Sequence, residues 1–158
     1  MKKLIVKTIC LSLAFLLGSI FCAFGLATIS VPGRVGFIFD GVGAYSASVF
    51  FYEKQFRKTE DINDLYILVT KIDLEEDSQR AEYWLEEIIS HQQFNELCKE
   101  IDKKGASIST SDYCYSSYCF ALIENGKIDI AKNALKLIKN NSLKKAVDYE
   151  IEQKTNTK

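Results

Sequence analysis

The sequence predicts an all-α protein: an N-terminal transmembrane helix followed by an α-solenoid-like array of about three helical hairpins and a C-terminal capping helix. Three observations carry this. One apolar pattern occurs twice, 66 residues apart: Val49, Tyr52, Phe56, Ile62, Leu65, Val69 and Ile72 correspond to Tyr115, Tyr118, Leu122, Ile128, Ala131, Leu135 and Ile138. That spacing is two repeats of 33, close to the ~34-residue period of paired-helix arrays, and a poorer third copy fits between. Pro32 is the only proline and few glycines follow Gly43, which favours long helices over the turn-rich layout of a sandwich or barrel. Finally, no charged residue occurs from Thr8 to Gly33.

Residues 1–7 carry Lys2, Lys3 and Lys7 and are expected in the cytoplasm. As a helix, residues 8–31 reach ~36 Å, enough to cross a hydrocarbon core of ~30 Å. Only Arg34 follows closely, so the positive-inside bias makes this a single-pass cell-membrane protein with its C-terminal domain outside the cytoplasm. A cleaved signal peptide and a secreted product is the alternative, suggested by the lysine-bearing start and by small Gly25 and Ala27. Against it, the uncharged run exceeds the ~7–15 residues of a secretory h-region. Phe21 before Cys22 argues against lipidation of that cysteine. Residues 32–43 hold Pro32, Gly33, Gly36, Gly41 and Gly43 and read as a Gly-rich linker at the membrane surface.

Residues 44–141 supply the hairpins. A helix over 44–58 uses Val49, Tyr52 and Phe56, and Thr59, Glu60 and Asp61 provide a cap and acidic first turn for a second helix over 61–73. Asp77 or Ser78 caps a third helix reaching Ser90, with Ala81, Trp84, Leu85 and Ile88 inward. A fourth helix over 94–103 ends at Gly105. Ser111 or Asp112 caps the fifth, Asn125-Gly126 turns the chain, and the sixth covers 128–139. Residues 142–158 form a capping helix, started by Ser142, and a tail. A polar-faced terminal helix is what a stacked array needs to cover its open end.

In the last hairpin, small Cys119 sits at the expected helix crossing, Gly126 at the turn and Ala131 where the second helix packs tightly. On these residues the segment resembles a tetratricopeptide repeat. In the first copy Glu53 and Leu65 occupy the small positions, and in the middle copy Leu85 and Leu97 do. The resemblance implies a binding scaffold whose concave face is formed by the first helix of each hairpin. Carried over by position, that face comprises Phe50, Lys54 and Arg57, then Glu82 and Glu86, then Tyr113, Phe120 and Glu124. Aromatic anchors flanked by charges suit a peptide groove, although the same rings also serve as packing between helices.

Charge narrows the partner. Residues 60–102 hold 13 acidic and 3 basic side chains, while residues 127–158 hold 8 basic and 4 acidic. Such a centre repels phosphates, so nucleic acid is not expected; it better suits a basic protein or peptide partner, although a charge run also serves simply as the solvated face of helices. His91 is the only histidine and no Cys-x-x-Cys occurs, so no metal is expected. No cofactor motif or catalytic constellation emerges: the glycines lack a Gly-Lys-Ser/Thr ending, and Ser142-to-Lys145 matches Ser-x-x-Lys without its partner motifs. Cys98, Cys114 and Cys119 read as small buried apolar residues. Unpaired thiols sit awkwardly in an oxidising compartment unless they are buried. The expected function is thus a membrane-anchored protein-interaction module, with a structural accessory subunit of a membrane complex as the alternative.

Overall fold

The structure, a computed structural model, describes residues 2–74 and 76–156, with the side chains of the first helix described from Leu16 onward. Met1, Glu75, Thr157 and Lys158, which belong to the expected cytoplasmic terminus, acidic stretch and tail, lie outside the described residues, as do the side chains of the first part of the expected span. The described residues form nine helices and no strand. They divide into two units, residues 1–55 and 56–158.

In the first unit, α1 (Lys2–Ser30) is followed by α2 (Pro32–Gly41) and by most of α3 (Tyr45–Thr59). Among the described residues no single helix is long and apolar enough to cross a membrane; Leu16–Ser30 and Pro32–Gly41 suffice together but are bent by 114° at the break. Pro32 causes the break. It has no N–H to continue α1, and its ring suits the first position of a new helix. The stretch expected to be a linker is therefore largely helical. Its glycines cost up to ~1 kcal/mol each in a helix, but tertiary contacts offset this. A Cβ on Gly36 would lie 3.2 Å from the Ser48 carbonyl oxygen, so glycine lets α2 approach α3 closely. Gln55 Oε1 accepts from the Gly33 N–H at 3.2 Å, satisfying a donor at the start of α2. Phe39 stacks on Phe51 at 5.4 Å and meets Phe24 edge-on at 6.2 Å. At Gly43 (φ +76°) the chain leaves α2 through paired bonds, Ala44 N–H to Phe39 O and Gly43 N–H to Asp40 O.

The second unit contains the last turn of α3, then α4 (Ile62–Val69), α5 (Ser78–Ser90), α6 (Phe94–Asp102), α7 (Thr110–Glu124), α8 (Ile128–Leu135) and α9 (Asn141–Asn156). From α4 to α7 each helix packs on the next, and contacts also join α4 to α6, α5 to α7 and α7 to α9; α8 packs on α9. The first helices of successive pairs start at Tyr45, Ser78 and Thr110 and the second helices at Ile62, Phe94 and Ile128. No residue of the seven corresponding apolar pairs is exposed.

Helix α7 is the hub. Neighbours on several sides explain why Thr110, Cys114, Ser116, Cys119, Ala121, Leu122 and Ile123 are all buried without forming a single stripe. Cys119, Leu122 and Ile123 join Ala131, Leu135, Ile138, Val147 and Ile151 in one apolar cluster. The Cys119 thiol points to the Ala131 carbonyl at 3.7 Å, with both residues fully buried.

Several helix ends differ from expectation. Ser109, not Ser111 or Asp112, caps α7 by accepting from the Asp112 N–H at 3.2 Å. The Asp112 carboxylate is committed elsewhere, accepting from the Lys139 N–H at 2.6 Å beyond the end of α8. That bond satisfies a backbone donor where the longer helix was expected, and α8 ends at Leu135. Asn140 rather than Ser142 caps α9, accepting from the Ser142 and Leu143 N–H groups. Helix α4 starts at Ile62, capped by Asp61, a residue expected in its acidic first turn, and ends at Val69, after which Thr70 Oγ1 donates to Ile67 O at 2.7 Å.

Candidate binding surface

Three of the eight expected face residues come together. Glu82 and Glu86 on α5 and Glu124 at the end of α7 line an open hollow of about 560 Å³, joined by Gln79, Tyr83, Asn125 and Lys127. Helical register explains Glu82 and Glu86, four residues and about one turn apart on α5. Glu124 is brought in because α5 packs along α7.

The start of α5 is fastened to the turn between α7 and α8. Ser78 Oγ donates to Asn125 Oδ1 at 2.6 Å, and Asn125 Nδ2 donates to Ser78 O at 3.1 Å and to Glu82 Oε2 at 2.7 Å. Lys127 Nζ donates to the other Glu82 oxygen at 2.5 Å. Glu82 is buried and fully engaged, whereas Glu86 is exposed. Glu124 is exposed and pairs with Lys154 of α9 at 3.0 Å. Gly126 (φ +74°) shapes the turn, with Lys127 N–H bonded to Leu122 O and Gly126 N–H to Ile123 O.

The other expected residues are placed differently. Arg57 lies over the Trp84 ring at 5.2 Å, a cation–π contact beside the edge-on pairs of Trp84 with Phe56 and Tyr83. Phe120 is half-buried against the cluster shared by α7, α8 and α9. Tyr113 is partly exposed near the opposite end of α7. Phe50 and Lys54 are exposed on α3 in the first unit, where Phe50 meets Phe51 edge-on at 5.3 Å. Gln79, Tyr83, Asn125 and Lys127 were missed. The turn glycine marked where Asn125 and Lys127 lie in the chain, but nothing local marks which neighbouring helix a turn faces.

A second open hollow, about 800 Å³, lies between α4 and α6 and is lined by Asp61, Asn63, Gln92, Gln93, Glu96 and Glu100, among others. The His91 Nδ1 accepts from the Gln93 N–H at 3.2 Å at the end of α5. No group of three His, Cys, Asp or Glu able to hold a metal occurs among the described residues.

Burial tunes the thiols and phenols. It pushes Cys98 up to about 11, with Asp102 adding to the effect, and Cys114 and Cys119 up to about 12. These thiols stay protonated and are poor nucleophiles. Burial also raises Tyr118, reinforced by Glu86 and Glu82, so its hydroxyl remains a neutral donor next to the carboxylates. The arrangement can bind a cationic group through carboxylates and contact an apolar flank through Tyr83.

Comparison with family models, with curated proteins and with solved structures gave no match.

Proposed function

We propose that this chain is a membrane-anchored, tetratricopeptide-like interaction module that holds a basic protein or peptide segment on the face formed by α5 and α7. The convergence of Glu82, Glu86 and Glu124 in one hollow carries this reading. Helix starts recurring about every 33 residues support a hairpin array, and the Cys119–Ala131 contact supports close packing in its last member. Acidic side chains on neighbouring helices attract lysine or arginine and set the register of an extended segment, while exposed Tyr83 supplies a flat ring for apolar contact. The module has no catalytic step of its own. The anchor is the uncharged stretch over residues 8–31, which α1 (Lys2–Ser30) covers up to Ser30, with the array on the extracytoplasmic side.

Fluorescence polarisation with a lysine-rich and a glutamate-rich peptide of equal length tests the reading on the full chain in detergent. The basic peptide should bind, less tightly as salt rises, and Glu86→Lys should weaken it about tenfold, or ~1.4 kcal/mol. Equal binding of the two peptides, or indifference to Glu86→Lys, would overturn it.

A further inference from the structure

Helix α2 carries an outer face that water does not suit. Pro32, Val35 and Gly36 are buried. Opposite them, Arg34, Phe37, Ile38 and Gly41 recur at spacings of three and four and share one exposed stripe, which Val42 extends. Phe37 is 71% exposed, Ile38 60% and Val42 73%.

We propose that α2 lies in the headgroup region of the bilayer, with Phe37, Ile38 and Val42 inserted among the upper acyl chains and Arg34 at lipid phosphate; this rests on the anchor reading of α1. Continuity comes first. The stripe begins directly after the uncharged run, and Leu16, Leu17, Ile20, Phe21, Leu26 and Ile29 of α1 are themselves exposed. Geometry comes second. With α1 along the bilayer normal, the 114° bend carries α2 past the perpendicular, back toward the membrane. A ten-residue helix is ~15 Å long and so descends by about 6 Å, within the ~5–10 Å to which interfacial helices bury. Packing comes third. Gly36 against Ser48 and Phe39 against Phe51 fix which face of α2 turns outward. A second copy of the chain is a poorer occupant, because three apolar side chains offer on the order of a few hundred Å², less than the ~800 Å² per partner of a stable interface. Arginine suits the lipid boundary because its stem lies along apolar surface while its guanidinium reaches phosphate.

The experiment uses the full chain reconstituted in vesicles of phosphatidylcholine and phosphatidylglycerol in equal parts, with Phe37→Trp and, separately, Val42→Trp. The emission each variant adds over the parent, whose own Trp84 is buried, is compared in vesicles brominated near the top of the acyl chains or near the chain ends. Both variants should float with the vesicles and lose about half or more of the added emission to the shallow bromines, and less to the deep ones. Flotation without quenching at either position overturns the placement of α2 and leaves the anchor standing. Failure to float overturns both, and equal or stronger quenching by deep bromines would make α2 part of a buried re-entrant segment instead.

Discussion

The successive helices α3 and α4 share the 66-residue correspondence with α7 and α8, and they match them in length. The first helix of each pair has 15 residues and the second 8, with Ile62–Val69 and Ile128–Leu135 in the same register. Their ends and contact residues diverge. α7 closes through Gly126 at φ +74°, with Gly126 N–H bonded to Ile123 O and Lys127 N–H to Leu122 O, whereas α3 closes through Glu60 at φ +53°, with its N–H bonded to Phe56 O and Asp61 N–H to Thr59 Oγ1. The last pair brings fully buried Cys119 against fully buried Ala131, where the first has Leu65 in place of the alanine. Apolar register thus sets helix length and burial, while end chemistry and side-chain size vary independently of it.

Moving residues between the two pairs should expose that independence. Ala131→Leu writes the first copy's residue into the third and overfills a closed contact, so unfolding followed by Trp84 emission should show a loss of about 2–3 kcal/mol. A variant as stable as the parent would remove size as the distinguishing property. Smaller effects of opposite sign are expected at the two helix ends. Gly126→Ala forces a Cβ into the left-handed region and should cost about 1–2 kcal/mol, while Glu60→Gly relieves that strain and should gain about 0.5–1 kcal/mol in the same measurement.

The smallest effect concerns pH. Unfolded thiols ionise near 9.0, whereas Cys98 holds its proton to about 11 and Cys114 and Cys119 to about 12. Their contribution to stability is therefore full below pH 9 and is lost as pH rises toward 12. The denaturation midpoint should fall across that window, less so in a Cys114→Ala variant. Maleimide at pH 8 should spare all three thiols until denaturant is added.

The apolar register was legible in the sequence because helical periodicity is local, and so was the Asn125-Gly126 turn. The caps of α7 and α9 were not. Asp112 is a good cap by composition, but its carboxylate is taken by Lys139, 27 residues away. The helix at Pro32–Gly41 was hidden for a related reason. Its glycines read as breakers, and only the approach of Ser48 and Phe51 shows why Gly36 belongs inside a helix. At the candidate surface, the carboxylates of α5 followed from periodicity. Asn125 and Lys127 depend on a turn meeting a helix that starts 47 residues earlier, at Ser78.

The ion pair between Lys127 and Glu82 gives the acidic hollow an occupant of its own. A basic peptide reaching for Glu82 competes with an amine tethered on the same chain, whose effective concentration far exceeds that of a free ligand. On the proposed reading, the hollow would favour segments with several positive charges, since a single lysine only exchanges one amine for another. Removing the tethered amine, as in Lys127→Met, should then exchange that selectivity for tighter capture of short basic sequences.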